Sequence, residues 1–215
     1  YKSIPATRVI HDFYELNPSL GFYGGGGIDG RHYARGTPLN SALMSGMFGG
    51  PKWGADYKKD LEQEFTHTAA FDGHTTSLPL ATNTVTLDPT LKDKWGRPAL
   101  RCTYMDHPDD LATMKFFFDK TGELMEAAGA IRQAGSYPKN GQEGNVHLLG
   151  TCRMGNDPAS SVVDKYHRSH DVSNLFICDG SSLVTSGRGQ PTMTIMALAF
   201  RAADHMIRSA RRGEI

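Results

Sequence analysis

The C-terminal stretch of this chain constrains its fold more than any other part. Leu175-Phe176-Ile177-Cys178 is a short apolar run that reads as a buried strand, and Asp179-Gly180-Ser181 and a loop of small residues follow it. A helix is then predicted from Pro191 to about Arg208, because Ile195, Leu198, Ala199, Ala202 and Met206 recur at helical spacing. Its polarity is favourable: proline suits the first helical position, and Arg208, Arg211 and Arg212 sit near the negative end of the dipole. A strand–loop–helix in this position is what closes a Rossmann-like α/β domain. The remainder of such a domain is not in the sequence, so the C-terminal stretch 167–215 is expected to return into a domain that this chain does not complete.

The preceding residues read as α+β. Residues 1 to about 55 are rich in Gly and aromatics and predict loops and short strands; Asp56 to Phe71 predicts a helix. Thr82–Leu87 and Ala99–Tyr104 predict two strands, and the turn-bearing Asp88-Pro89 through Trp95-Gly96-Arg97-Pro98 makes them an antiparallel pair. Pro108 opens a helix through Ala128, with Asp109 and Asp110 in its first turn and Leu111, Met114, Phe118, Leu124 and Met125 on its apolar side. Residues 1–166 are therefore expected to form a substrate-binding portion, an antiparallel sheet with helices on one face.

Composition narrows the functional classes. Lys+Arg and Asp+Glu are equal at 23 each, so no overall field points to nucleic acid or an anionic membrane. No apolar run reaches the ~20 residues of a membrane span. The three cysteines, Cys102, Cys152 and Cys178, are odd in number and lack a CxxC pair, which predicts reduced, packed thiols rather than disulfides or a metal site. The opening Tyr1-Lys2-Ser3-Ile4-Pro5 is neither an initiator methionine nor a signal peptide, so the chain reads as starting within a gene product, and its localisation is unknown.

Three motifs invite chemistry and are set aside. Gly25-Gly26-Gly27-Ile28-Asp29-Gly30 satisfies G-x-G-x-x-G, but no buried strand precedes it and no convincing helix follows, so it is not read as nucleotide-binding. His167 and His170 lie three apart in a polar stretch and read as a surface turn, not a metal site. Asp179-Gly180-Ser181-Ser182-Leu183 lacks the second glycine of a nucleophile elbow. His147 differs, because Gly150, Thr151, Cys152 and Gly155 surround it with a compact segment whose backbone can come close to a flat ligand. A neutral imidazole suits removal of a hydroxyl proton near neutral pH.

These three segments, Asn145 to Gly155, Asn174 to Ser181 and Gly189 to Thr194, resemble the C-terminal part of the glucose-methanol-choline (GMC) oxidoreductases, FAD enzymes that oxidise alcohols. The resemblance is strong over residues 145–207, covers the Asn83–Tyr104 strand pair more loosely, and is faint before residue 80. It implies His147 as the catalytic base and Gln190, where His or Asn is usual, as the residue holding the substrate oxygen. Gln190 carries an amide donor and acceptor but is no base near neutral pH. It further implies that Asp179 and Gly180, with Gln190, Pro191, Thr192 and Met193 at the start of the last helix, contact the flavin. The look of Pro191-Thr192-Met193-Thr194-Ile195-Met196-Ala197-Leu198-Ala199 is closest to sugar- and polyol-oxidising bacterial members. The implied partners are a sugar or polyol, an FAD-binding N-terminal segment or separate subunit, and an electron acceptor such as a cytochrome. Two other readings remain open: a non-catalytic binding or assembly subunit that keeps the fold, and a flavin-containing cyanohydrin lyase.

Overall fold

The computed structural model of the chain describes residues 8–31, 39, 53–139 and 147–215. Its elements are β1 (Arg8–Ile10), β2 (Gly26–Arg31), α1 (Tyr57–His67), β3 (Ala70–Thr75), β4 (Thr84–Lys92), β5 (Pro98–Thr103), α2 (Pro108–Ala127) and α3 (Thr192–Arg211), with short 3-10 turns at Pro18–Leu20 and Gly180–Ser182. Helices and antiparallel sheets make a mixed architecture, and no parallel sheet forms among the described residues. Two compact units divide the chain: Tyr1–Thr75 with Ala112–Lys139, and Thr76–Leu111 with Asn140–Ile215.

The first unit is a three-stranded antiparallel sheet, β1-β2-β3, with the glycine run as its central strand. A Cβ on Gly26 would stand 2.2 Å from the His74 carbonyl and 2.9 Å from the Phe117 ring. The glycines thus let β3 and Phe117 close on β2, and the G-x-G-x-x-G pattern marks packing rather than a phosphate loop. Phe13, Phe22, Phe116 and Phe117 interlock edge-on or tilted around this point, with ring centroids 5.1–6.1 Å apart. Phe117 is only 2% exposed, whereas Phe118, expected on the apolar side of α2, is exposed. Three consecutive phenylalanines leave the helical phase ambiguous, and the space left by Gly26 and Gly73 decides it.

In the second unit β4 and β5 pair antiparallel from Thr84↔Thr103 to Leu87↔Leu100, with a bulge before Lys92↔Pro98. Asp88 makes the bulge by accepting the N–H groups of Thr90 and Leu91, and Asp93 closes the turn by accepting those of Trp95 and Arg97. These bonds hold both carboxyls below their ordinary range. Cys102 is exposed, so the expected packing of all three thiols does not hold; all three are free.

The expected strand at Leu175–Cys178 is not one. Phe176 forms an isolated antiparallel bridge with Arg168, and Leu175 is exposed. A four-residue run needs a neighbouring strand to become a ladder, and what it meets here is the 164–169 turn. His167, expected in a surface turn, is instead 1% exposed: the backbone N–H of Ile177 bonds to its carbonyl, and its Nδ1 lies 2.8 Å from the Ile177 carbonyl. Helix α3 then runs over 20 residues, burying Ala202 and Ser209. No helix among the described residues is long and apolar enough to cross a membrane.

Candidate functional site

The segment after His147 is held to the loop after Cys178 by backbone bonds: Cys152 N–H to the Ser181 carbonyl at 3.0 Å, and Met154 N–H to that of Ser182 at 2.8 Å. Gly150 has φ +89°, and a Cβ there would meet the Leu183 carbonyl at 3.3 Å, so the turn requires glycine. Asn145 and Val146 lie outside the described residues. His147 itself is partly exposed, and its ring nitrogens take no hydrogen bond from a described residue.

Gly180 joins the three segments. A Cβ at this position would lie 2.8 Å from Cδ2 of Leu149, two residues after His147, and 3.0 Å from Cδ1 of Ile195, in the opening turn of α3. Asp179 precedes it as the cap of the 3-10 turn, its Oδ1 accepting the Ser181 N–H at 2.8 Å and the Ser181 hydroxyl. The hydroxyl bond first, and the N–H bond second, hold the Asp179 carboxyl below its ordinary range. Its Oδ2 bonds to no described residue.

Gln190 is exposed and leads directly into Pro191, the N-cap of α3. No side chain caps that helix, and Thr192 and Met193 are exposed, so its first N–H groups and positive dipole end are open. The structure therefore brings the His147 segment, Asp179-Gly180 and the start of α3 together, while no hydrogen bond joins Gln190 to His147.

The family model for GMC oxidoreductase matches residues 79–199 of this chain. The chain belongs to the GMC oxidoreductase family. It is 39% identical over 204 residues to a 2-methyl-1,2-propanediol dehydrogenase of Mycolicibacterium austroafricanum, a match covering 94% of this chain and 36% of the relative. It is 30% identical over 162 residues to the gluconate 2-dehydrogenase flavoprotein of Pantoea cypripedii, covering 72% of the chain and 26% of the relative. Over 69 residues it is 45% identical to the fructose dehydrogenase large subunit of Gluconobacter japonicus, covering 32% and 13%. The chain thus spans about a third or less of the length of these relatives.

Within this GMC chain, sequence reasoning missed the residues that brace the site. His170 Nε2 lies 2.9 Å from Ser161 Oγ and 3.2 Å from the Gly155 carbonyl. Ser161 donates its own hydrogen to the Asp157 carbonyl, so His170 carries its proton on Nε2 and locks the turn that ends the His147 segment. Gly155 has no room for a side chain, since its Cβ would stand 2.8 Å from that of Ser161. Tyr166 stacks flat on His205 of α3 at 3.9 Å. Among the described residues no cluster of His, Cys, Asp and Glu could hold a metal ion.

Proposed function

We propose that this chain forms the substrate-facing side, and part of the flavin-facing side, of an FAD enzyme that oxidises a sugar or polyol hydroxyl to a carbonyl. One observation carries the reading: Leu149 beside His147 and Ile195 at the head of α3 both close on Gly180, so a proton acceptor, a carboxylate turn and an open helix N-terminus share one locality. The residues present fit the group. The uncapped N–H groups of Thr192 and Met193 suit the electron-rich edge of a flavin ring, and Asp179 Oδ2 is an acceptor for a flavin hydroxyl. When bound, FAD would supply the hydride acceptor and with it the redox chemistry.

The chain's own residues do the rest. His147, whose ring nitrogens bond to no described residue, takes the hydroxyl proton as the C–H bond gives up its hydride. Gln190 holds the substrate oxygen through its amide, each such bond contributing about 0.5–1.5 kcal/mol. Pro191 fixes the chain direction at the helix start, and Gly180 permits the close approach. Residues 167–215 are the return into the flavin domain, and residues 1–166 the substrate-binding portion. An N-terminal segment or a separate subunit completes the flavin site. The relatives named a flavoprotein and a large subunit support an assembly of this kind, which passes its electrons to an acceptor such as a cytochrome. One relative, matched over 94% of the chain, is named for a diol, so compact polyols belong in the substrate panel beside sugars.

The test is anaerobic stopped-flow reduction of the flavin-loaded enzyme with gluconate, fructose and 2-methyl-1,2-propanediol. Bleaching by one of these is expected, with His147→Ala keeping flavin but slowing reduction by roughly 10²–10⁴-fold. Gln190→Ala should raise KM more than it lowers the limiting rate. An unchanged rate in His147→Ala removes the base from the reading, and flavin that no alcohol bleaches favours the non-catalytic or lyase alternative.

A further inference from the structure

One buried carboxylate lies outside the proposed machinery yet connects to it. Asp110, in the first turn of α2, is 1% exposed. Its Oδ1 accepts the Leu78 N–H at 3.0 Å and its Oδ2 accepts the Ser77 hydroxyl at 2.9 Å. The Ser77 carbonyl in turn accepts the Ser186 N–H at 3.2 Å, making an isolated antiparallel bridge. Ser186 lies four residues before Gln190, and the intervening Gly187 and Gly189 are open positions where a Cβ would meet nothing within 4 Å.

The Leu78 N–H and the Ser77 carbonyl belong to a single peptide group. A carboxylate drawing on the N–H of an amide makes its oxygen a stronger acceptor, because hydrogen-bonded chains polarise one another. Asp110 therefore acts on Ser186 without touching it. The helix supports this arrangement, since a negative charge in the first turn of α2 faces the positive end of its dipole.

We propose that Asp110 is a positioning residue for the substrate loop: through the Ser77–Leu78 peptide it fixes Ser186, and with it the place of Gln190. The inference rests on the reading of Gln190 as the residue that holds the substrate oxygen. A neutral Asn at position 110 still accepts from Leu78 but polarises the peptide less. An Ala releases the Ser77–Leu78 segment altogether.

Hydrogen exchange and steady-state kinetics on the flavin-loaded enzyme test this together. In Asp110→Ala the Ser186 amide should exchange on the order of tenfold faster, the scale of one lost hydrogen bond, while the Phe117 amide within α2 keeps its protection. Asp110→Asn, which guards against a folding defect in the Ala variant, should show a smaller acceleration and a KM raised roughly threefold with kcat little changed. Unaltered Ser186 exchange in both variants overturns the proposal, as does uniform loss of protection across the chain. If Gln190→Ala raises KM and Asp110→Asn leaves it unchanged, the tether fails and the Gln190 reading stands. If Gln190→Ala leaves KM unchanged, the Gln190 reading fails, and the exchange of Ser186 still decides whether Asp110 holds the loop.

Discussion

The two regions of this molecule solve the same packing problem in opposite ways. Around β1, β2, β3 and α2, glycines bring backbone and phenylalanine rings together, and the large side chain at the centre, Phe117, is buried. Around α3, bends and turns from His147 to Gly189 do the work of a sheet, and the helix keeps a second apolar stripe uncovered. Met193, Met196, Phe200 and Ile207 follow one another at three-, four- and seven-residue steps, with Met193 73% and Phe200 74% exposed. Both helices have 20 residues, so length does not distinguish them. Helix α2 has an apolar side answered by its own chain, whereas α3 has one side answered and one left exposed. The first region is a finished core; the second, on the reading proposed above, is one side of a site.

The sharpest way to break that contrast is to damage the finished core. Phe117→Ala should cost about 3–5 kcal/mol, the usual range for deleting a fully buried aromatic ring. Gly26→Ala should be comparably severe, because its Cβ meets the backbone carbonyl of His74 at 2.2 Å and strand β3 cannot yield without losing its register. Chemical denaturation of both variants checks this. A loss below about 1 kcal/mol in each would show that the phenylalanine cluster is not the core of the first unit.

How much of this was legible in the sequence follows the same divide. The β4–β5 hairpin, α2 and α3 could be read because their signals are local: turn residues at Asp93 and Gly96, proline at Pro108 and Pro191, and helical spacing beyond. The glycine run forms a central strand, a role that no local signal announces because it depends on Phe117, far along the chain. Leu175–Cys178 was misread because apolarity alone cannot tell a strand from a braced loop, and His167 because its burial comes from Ile177 and not from its polar neighbours. At the site, His147, Asp179-Gly180 and Gln190 were named from a family pattern. The supports at Ser161, His170, Ser77 and Asp110 bear no sequence signature, since each pairs with a side chain or backbone group well removed from it along the chain, Ser161 with His170 and Ser77 with Asp110.

A smaller effect is expected in the second region at Gly180. An added methyl group meets only the ends of the Leu149 and Ile195 side chains, which can swing, so Gly180→Ala should cost about 1 kcal/mol, the low end for overpacking. The yielding side chains belong to the His147 segment and to the head of α3, so flavin reduction should fall further than stability does. Equal, proportionate losses would mean that Gly180 only packs.

The pH dependence of Asp110 sharpens the contrast further. Burial raises its carboxyl above the ordinary value of 3.8, against the opposing bonds from Leu78 and Ser77, with His107 and Tyr104 the titratable groups that face it. A carboxyl raised on folding binds its proton more tightly in the folded state. Its stabilising contribution is complete below the unfolded value and is lost as pH rises through the folded one. Asp110→Asn should therefore gain stability relative to the unsubstituted chain as pH rises above the ordinary carboxyl value, measured by denaturation midpoints across a pH series. A difference that is flat with pH would remove Asp110 from the linkage. The cost at neutral pH is what a residue kept for placement of a loop, rather than for folding, is expected to show.

The smallest effect should come from the largest exposed ring on α3. Phe200 lies 74% in solvent, so Phe200→Ser gives up little burial within this chain, and its stability should change by no more than about 0.5 kcal/mol. If, as proposed, a further segment or subunit completes the flavin site and covers the exposed Met193–Ile207 stripe, the same change should be large in the flavin-loaded enzyme. A buried aromatic at such an interface contributes about 2 kcal/mol or more when truncated. The measurement is a pair: denaturation of this chain, and flavin retention by the assembled enzyme. Weakened flavin retention with an unchanged chain supports α3 as one half of an interface. A chain that loses several kcal/mol from Phe200→Ser would show that the ring is covered by its own chain, and the contrast between the two helices would disappear.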